Sequence, residues 1–229
     1  MSRIPFLLLF LFTPLSAQQE RAPADPPPVS VPAFPNSTCP IMGKKVSSRL
    51  FTDTEYGRIW ICCKGCDKKI LRDVEAAYKT AYPTTKEVAN EVCPVSGEKL
   101  GEGAVEVTLQ GHSFRVCCAR CVPVAREHSQ VTLARVTDAK VRDLRNAECP
   151  VTGEPVVANA FARVGDTIVR LSSPACVAAL KKDPAGLLGK AIEIAGRATL
   201  PDPRRAEPSP ERAGEEAGER RARGEAGGR

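Results

Sequence analysis

The chain has 229 residues and a formal net charge of +6, with ten cysteines and only 5% aromatic residues. This length allows one large domain or two ordinary ones. The low aromatic content excludes a large aromatic core. The 33 basic residues are interspersed with 27 acidic ones rather than gathered beside aromatic residues, which argues against nucleic-acid binding.

Residues 1–17 have the organisation of a secretory signal peptide. Arg3 supplies the positive charge, residues 4–12 form a short apolar run, and residues 14–17 are typical of a cleavage segment. The apolar run is shorter than the roughly 20 residues that cross a bilayer, so a retained membrane anchor is the less favoured alternative. We therefore predict an exported protein, periplasmic or extracellular, with no stable membrane span once the signal peptide is removed.

Two segments without hydrophobic patterning flank the rest of the chain. Residues 18–38 are rich in proline, which favours an extended, disordered linker. Residues 201–229 consist mostly of Arg, Glu, Ala, Gly and Pro and contain no aromatic or β-branched residue. Such a segment buries too little apolar surface to fold, so we predict a disordered, charged tail.

Between these segments one sequence pattern occurs three times, and such a repeat indicates that the same structural unit is repeated along the chain. Each copy opens with Cys-Pro-x-x-Gly, at Cys39, Cys93 and Cys149, and later contains a second cluster. We predict copies at residues 39–90, 91–146 and 147–200. The clusters are Cys62-Cys63-Lys64-Gly65-Cys66, Cys117-Cys118-Ala119-Arg120-Cys121 and Ser172-Ser173-Pro174-Ala175-Cys176.

Within each copy the apolar pattern changes from a period of two to a helical period. Alternating apolar residues before each cluster predict a half-buried strand that follows a turn. After the first cluster, Ile70, Val74 and Tyr78 share one helical face, and Asp183-Pro184 should end or kink the last helix. The predicted fold class is α+β, with three tandem treble-clef-like ββα cysteine modules flanked by disordered segments. The strand pairs are Ile59 and Ile61, Phe114 and Val116, and Val169 and Leu171.

The cysteines have the spacing of a soft-metal site. One thiolate at the opening turn and a close pair where a strand meets a helix can converge on one point. Thiolates select Zn²⁺, Cu⁺ or iron–sulfur centres over Mg²⁺ or Ca²⁺. A module this small has little core and needs metals or disulfides for stability. Adjacent strand residues point to opposite faces, so both vicinal cysteines bind one ion only if the strand has already ended. The sequence therefore allows either a three-thiolate or a four-thiolate site.

This arrangement resembles the TRASH and YHS families of cysteine domains, over roughly residues 39–190. Their pattern is a Cys-Pro-x-x-Gly opening followed, after a spacer, by a Cys-Cys-x-x-Cys cluster. The resemblance implies binding of a heavy-metal ion, zinc or copper among them, and its transfer to a partner. Carried over by position, the metal ligands are Cys39, Cys62 and Cys66 and then Cys93, Cys117 and Cys121, with Cys63 and Cys118 as neighbours that could complete a fourth position.

The third copy departs from the pattern, because Ser172 and Ser173 replace the vicinal cysteines. Cys149 and Cys176 remain, and a disulfide between them is the favoured interpretation in an oxidising compartment. A residual site for two-coordinate Cu⁺ is the alternative. In the first copy, Met42 could offer a thioether to Cu⁺ or fill a core.

Two other functions stay open for the whole chain. The cysteines could staple a structural module that binds a cell-envelope partner, although disulfides between vicinal cysteines would be strained. A thiol–disulfide redox protein could use Cys63 with Cys66 and Cys118 with Cys121. No phosphate loop, Ser/His/Asp set or pair of catalytic carboxylates can be recognised, so we do not predict an enzyme.

Overall fold

The computed structural model describes residues 26–197, so the predicted signal peptide (1–17) and charged tail (201–229) lie outside the described residues. Within this range the protein combines short strands in three small sheets with six α-helices, which confirms the predicted α+β class. Each sheet is built around one antiparallel hairpin, and each hairpin immediately precedes one of the three clusters.

The strands are short and their pairing repeats along the chain. The pairs β2–β3, β5–β6 and β8–β9 are antiparallel hairpins; β4 and β7 add to β6 and β9 in parallel, and β1 adds to β8 antiparallel. The hairpins turn at residues 55–56, 110–111 and 165–166, in agreement with the turn predicted before each second strand. In chain order the strands are β1 Val29–Ser30, β2 Phe51–Thr54, β3 Gly57–Trp60, β4 Lys86–Glu87, β5 Val105–Leu109, β6 His112–Val116, β7 Arg142–Asp143, β8 Phe161–Val164 and β9 Thr167–Arg170.

A helix or helical turn follows each cluster. The single helix expected to carry Ile70, Val74 and Tyr78 is divided in two, because Asp73 accepts a hydrogen bond from the N–H of Ala76 (3.0 Å) and caps a new helix. The predicted break at Asp183-Pro184 is confirmed. The helices are α1 Asp67–Ile70, α2 Val74–Ala81, α3 Cys121–Glu127, α4 Ser129–Thr137, α5 Cys176–Lys182 and α6 Pro184–Arg197, with a 3-10 turn over Lys64–Cys66 before α1.

Each hairpin supplies the core of its own copy. The alternating strand residues are buried as the period of two predicts, and each is at most 2% exposed. Each core also contains the opening cysteine and the last cysteine of the cluster. Thiol groups in all three copies are therefore packed against apolar side chains. The buried residues are Ile59, Ile61, Phe114, Val116, Val169 and Leu171, of which Ile61 and Leu171 directly follow the ends of β3 and β9.

An asparagine lies three residues before each opening cysteine and clamps the opening to the hairpin. The Nδ2 of Asn36 donates to the carbonyls of Thr38 (2.7 Å) and Trp60 (3.0 Å), and its Oδ1 accepts from the N–H of Trp60 (2.8 Å). Asn90 and Asn146 form the same three bonds in their own copies. One amide side chain thus pairs with the strand as a peptide group would.

Residues 26–38 differ from the disordered linker that their composition predicts. Val29 and Ser30 pair with β8, Phe34 packs between two apolar clusters, and Asn36 is buried. The prolines are compatible with this path because β1 lies at the edge of its sheet, where few backbone N–H groups are needed. The segment is held by tertiary contacts rather than by its own propensity.

The three copies also pack against one another. Gln110, only 1% exposed, donates from Nε2 to the carbonyl of Phe34 (2.8 Å), and its Oε1 accepts from the N–H of Arg58 (3.1 Å) and from Gln130. Arg170 of the third copy forms a buried ion pair with Asp143 of the second copy (2.8 Å). A buried polar side chain must be hydrogen-bonded, so these contacts specify how the copies meet.

Candidate metal centres

Each Cys-Pro-x-x-Gly opening folds into the same tight turn. In the first copy the N–H of Cys39 donates to the carbonyl of Lys44 (2.8 Å), and the N–H of Gly43 donates back to the carbonyl of Cys39 (2.8 Å). Gly43 has φ +64°, a left-handed conformation that favours glycine, and Gly97 and Gly153 repeat it. The turn explains the glycine of the motif and fixes the direction of the opening thiol.

The vicinal cysteines follow the end of a strand, which meets the condition for both of them to approach one point. Strand β3 ends at Trp60, so one residue separates it from the first pair, and β6 ends at Val116, directly before the second pair. Beyond the pair the chain bends, and the N–H of Cys66 donates to the carbonyl of Cys63 (3.2 Å). The backbone therefore turns around the candidate site instead of passing it.

The first candidate centre contains Cys39, Cys62 and Cys66, whose Sγ atoms all lie within 4.8 Å of one another. The Sγ atoms of Cys39 and Cys66 are 3.6 Å apart, and those of Cys62 and Cys66 are 3.9 Å apart. Cys63 places its Sγ 3.5 Å from that of Cys66 but is exposed to solvent. Thiolates bound tetrahedrally at about 2.3 Å from zinc are roughly 3.8 Å apart, so the spacing suits such an ion.

The second candidate centre contains Cys93, Cys117 and Cys121, again with all three Sγ atoms within 4.8 Å of one another. The Sγ atoms of Cys117 and Cys121 are 3.5 Å apart. The Sγ of Cys118 lies 3.9 Å from that of Cys117 and 3.8 Å from that of Cys121. Ser96 places its Oγ 3.3 Å from the Sγ of Cys117. This centre has the same plan as the first and is more enclosed.

The local hydrogen bonds favour one thiolate in each centre before any ion binds. Burial raises the pKa of Cys39, but backbone N–H donors outweigh it and lower that pKa to about 7. In the second centre the thiol of Cys121 donates to Cys93, and Ser96 adds two further bonds, which lower the pKa of Cys93 to about 4. Burial raises the pKa of the partner Cys66 to about 12. In each centre the opening cysteine therefore loses its proton more readily than an ordinary thiol.

A half-buried arginine, whose Nε is fully buried, lies beside the second centre. Arg135 donates from Nη1 to the carbonyls of Pro94 and Val95 in the opening turn, while its Nε has no hydrogen-bond partner. Among the described residues it forms no ion pair with a carboxylate. Burial lowers its pKa, whereas the charges of Asp143 and Cys93 raise it. Because an ionised Cys93 favours the charged guanidinium, the guanidinium in turn favours the thiolate form of Cys93.

The third copy keeps the frame but replaces the vicinal thiols by hydroxyl groups. Ser172 and Ser173 place their Oγ atoms 3.7 and 3.6 Å from the Sγ of Cys176. Burial raises the pKa of Cys149, but backbone N–H groups, chiefly those of Ser172 and Thr152, lower it to about 7. All ten cysteines of the chain are free thiols in the structure, including Cys149 and Cys176. The disulfide expected for an oxidising compartment thus stays a prediction.

Sequence reasoning missed two kinds of residue. The clamping asparagines had a usable signal, since Asn-x-x-Cys-Pro occurs in all three copies. Arg135 had none, because it reaches the Cys93 turn from α4, forty residues further along the chain.

No protein-family model, no curated protein and no solved structure matches this chain. Within residues 26–197, no helix has the length and apolar character needed to cross a membrane.

Proposed function

We propose that the protein binds two soft heavy-metal ions, zinc or copper, one in each cysteine centre. The observation that carries the proposal is the convergence of three Sγ atoms within 4.8 Å, which occurs twice at equivalent places. Each centre joins an opening cysteine to a distant cluster, so local sequence alone does not produce the proximity. Soft thiolate donors at these distances suit zinc or copper and disfavour magnesium or calcium.

The proposal extends to the frame around the centres. The Cys-Pro turn, hairpin, cluster and helix recur in the same order, which supports three small treble-clef-like units of the TRASH and YHS kind. In the third unit hydroxyl groups stand where thiols are needed, so we assign it a structural role. The predicted signal peptide makes this an exported protein that buffers metal ions or passes them to an envelope partner.

One observation favours a second function, thiol–disulfide exchange. Cys63 is exposed and its pKa is lowered, chiefly by hydrogen bonds from the thiols of Cys66 and Cys62. Its thiolate would attack an external disulfide and release one thiol, and Cys66 would then displace the second thiol and form a Cys63–Cys66 disulfide. Two electrons would pass to the external disulfide in this reaction.

Metal content and thiol titration on the same sample distinguish these functions. We expect two zinc or copper ions per chain by elemental mass spectrometry, and one ion after Cys39→Ser or Cys93→Ser. Cys149→Ser is the matched control and should keep both ions. Cobalt loading should also give a thiolate-to-metal charge-transfer band. A metal-free protein with a reversible Cys63–Cys66 disulfide would support the redox function, and a metal-free protein without one would overturn both.

A further inference from the structure

We propose that the two centres exchange metal at different rates. The first centre takes up and releases its ion through Cys63, and the second centre retains its ion. This inference rests on the proposed metal binding and adds which centre trades ions with thiol ligands in solution. It follows from differences in access and in the support of the opening turns, since the ligand sets themselves match.

Access to the two centres differs at three equivalent positions. In the first opening turn Pro40 is half-buried and Met42 is 48% exposed, whereas Pro94 is buried and Ser96 half-buried in the second. Cys63 is exposed, but its counterpart Cys118 is half-buried. Closed thiolate sites hold their metal structurally, whereas exchange requires a position that an incoming ligand can reach. The first centre has such a position, and the second is less accessible.

The opening turns are also supported differently. Arg135 holds the carbonyls of Pro94 and Val95, and Arg145 adds a longer contact to the carbonyl of Val95 (3.4 Å). Among the described residues, no side chain donates to the carbonyls of Pro40 or Ile41. Groups that orient a ligand from outside the coordination sphere commonly change metal affinity by about 10- to 100-fold. The turn that carries Cys93 therefore resists the opening that metal release requires.

Cys63 occupies the position expected of an entry ligand. Its Sγ lies 3.5 Å from that of Cys66, at the solvent end of the centre, and Met42 places a thioether on the turn of Cys39. An incoming metal–thiol complex would first exchange one thiolate for Cys63, then others for the buried cysteines. Each protein thiol that binds passes its proton to the departing thiolate, so no oxidation or reduction occurs. Exposed Lys44 and Lys64 favour anionic complexes of this kind.

The test follows zinc release from the loaded protein into excess 4-(2-pyridylazo)resorcinol. We expect two phases of one zinc each, separated by about tenfold or more in rate. Cys62→Ser should remove the fast phase, and Cys117→Ser should remove the slow phase. Release of both zinc ions in a single phase would overturn the inference while leaving the proposed function intact. A protein that binds no zinc would refute the proposed function itself.

Three further measurements test the parts of the inference. Cys63→Ser should slow the fast phase and leave two zinc ions per chain, and Cys149→Ser, which removes a thiol outside both centres, is its control and should change neither phase. Loss of the ion from Cys63→Ser at equilibrium would make Cys63 a structural ligand and overturn its entry role. Arg135→Gln should accelerate the slow phase. Timed alkylation of the loaded wild-type protein, mapped by mass spectrometry, needs no variant and should modify the first centre before the second; the reverse order would contradict the inference.

Discussion

Replacing the asparagine clamp should cost very different amounts of stability in two copies that share the same hydrogen bonds. Asn146 is fully buried, whereas Asn90 is partly exposed. Each donates twice from Nδ2 and accepts once at Oδ1. The comparison of Asn146→Ala with Asn90→Ala therefore holds the bonding constant and changes only the access of water.

The magnitude follows from what each substitution leaves behind. In Asn146→Ala the N–H and carbonyl of Arg170 lose their partners in a buried place, and a buried unpaired polar group costs about 1–3 kcal/mol. A loss of about 3 kcal/mol in the free energy of unfolding is expected. In Asn90→Ala water replaces the side chain at Arg115, so the loss should be about 1 kcal/mol.

The assay is urea unfolding followed by circular dichroism, with metal removed and thiols kept reduced so that ion binding does not contribute. Asn146→Asp is an informative companion because it keeps an acceptor for Arg170 but loses both donors. Equal losses for Asn146→Ala and Asn90→Ala would refute the argument from burial. A loss below about 1 kcal/mol for Asn146→Ala would refute the clamp itself.

Three further predictions concern the packing between copies. Asp143→Asn should lower the free energy of unfolding by about 3 kcal/mol at neutral pH, because it leaves buried Arg170 without its partner. Burial raises the pKa of Asp143, but Arg170 outweighs it and the net shift is downward. The ion pair therefore contributes fully to the free energy of unfolding above the unfolded pKa of about 3.9, and this contribution is lost as pH falls through the folded pKa. The free energy of unfolding should depend less on acid pH in Asp143→Asn than in the wild type, and an unchanged dependence would contradict this. Gly111→Ala should cost about 1–2 kcal/mol, because φ is +71° and the new Cβ would lie 3.1 Å from the carbonyl oxygen of Thr84; Gly101→Ala, which meets nothing within 4 Å, is the control, and equal thermal shifts for the two would count against the strain argument. Deleting residues 26–30 should speed hydrogen exchange at the amides of β8 while those of β5 keep their protection, and unchanged exchange in β8 would show that β1 does not hold that strand.

The sequence allowed prediction of features that depend on neighbouring residues. The Cys-Pro-x-x-Gly turns, the buried alternation at Ile59 and Ile61, and the break before Pro184 all follow from local pattern. The division of the first helix at Asp73 was missed, because an apolar spacing of four residues continues across a cap without a visible change. Local periodicity describes a face, and it does not require the helix to be continuous.

Features that depend on distant residues were not accessible in the same way. The position of Phe34 and the pairing of β1 depend on partners in the second and third copies, which proline content cannot reveal. For the candidate centres, spacing indicated which cysteines converge, but the exposure of Cys63 and the position of Arg135 come from packing. The difference between the two centres is therefore a tertiary property of nearly identical motifs.

The pairing of β1 with β8 has a consequence for how the chain reaches its native state. The two strands lie far apart in the sequence, at residues 29–30 and 161–164, and closing so long a loop is slow. Until then β8 presents an open edge, and open edges recruit strands from other molecules. We therefore expect Val29 and Ser30 to limit aggregation by covering this edge of β8. Substitutions that weaken the pairing of β1 with β8 should clearly reduce the yield of refolding at high protein concentration. Their effect on the stability of the folded protein should be smaller.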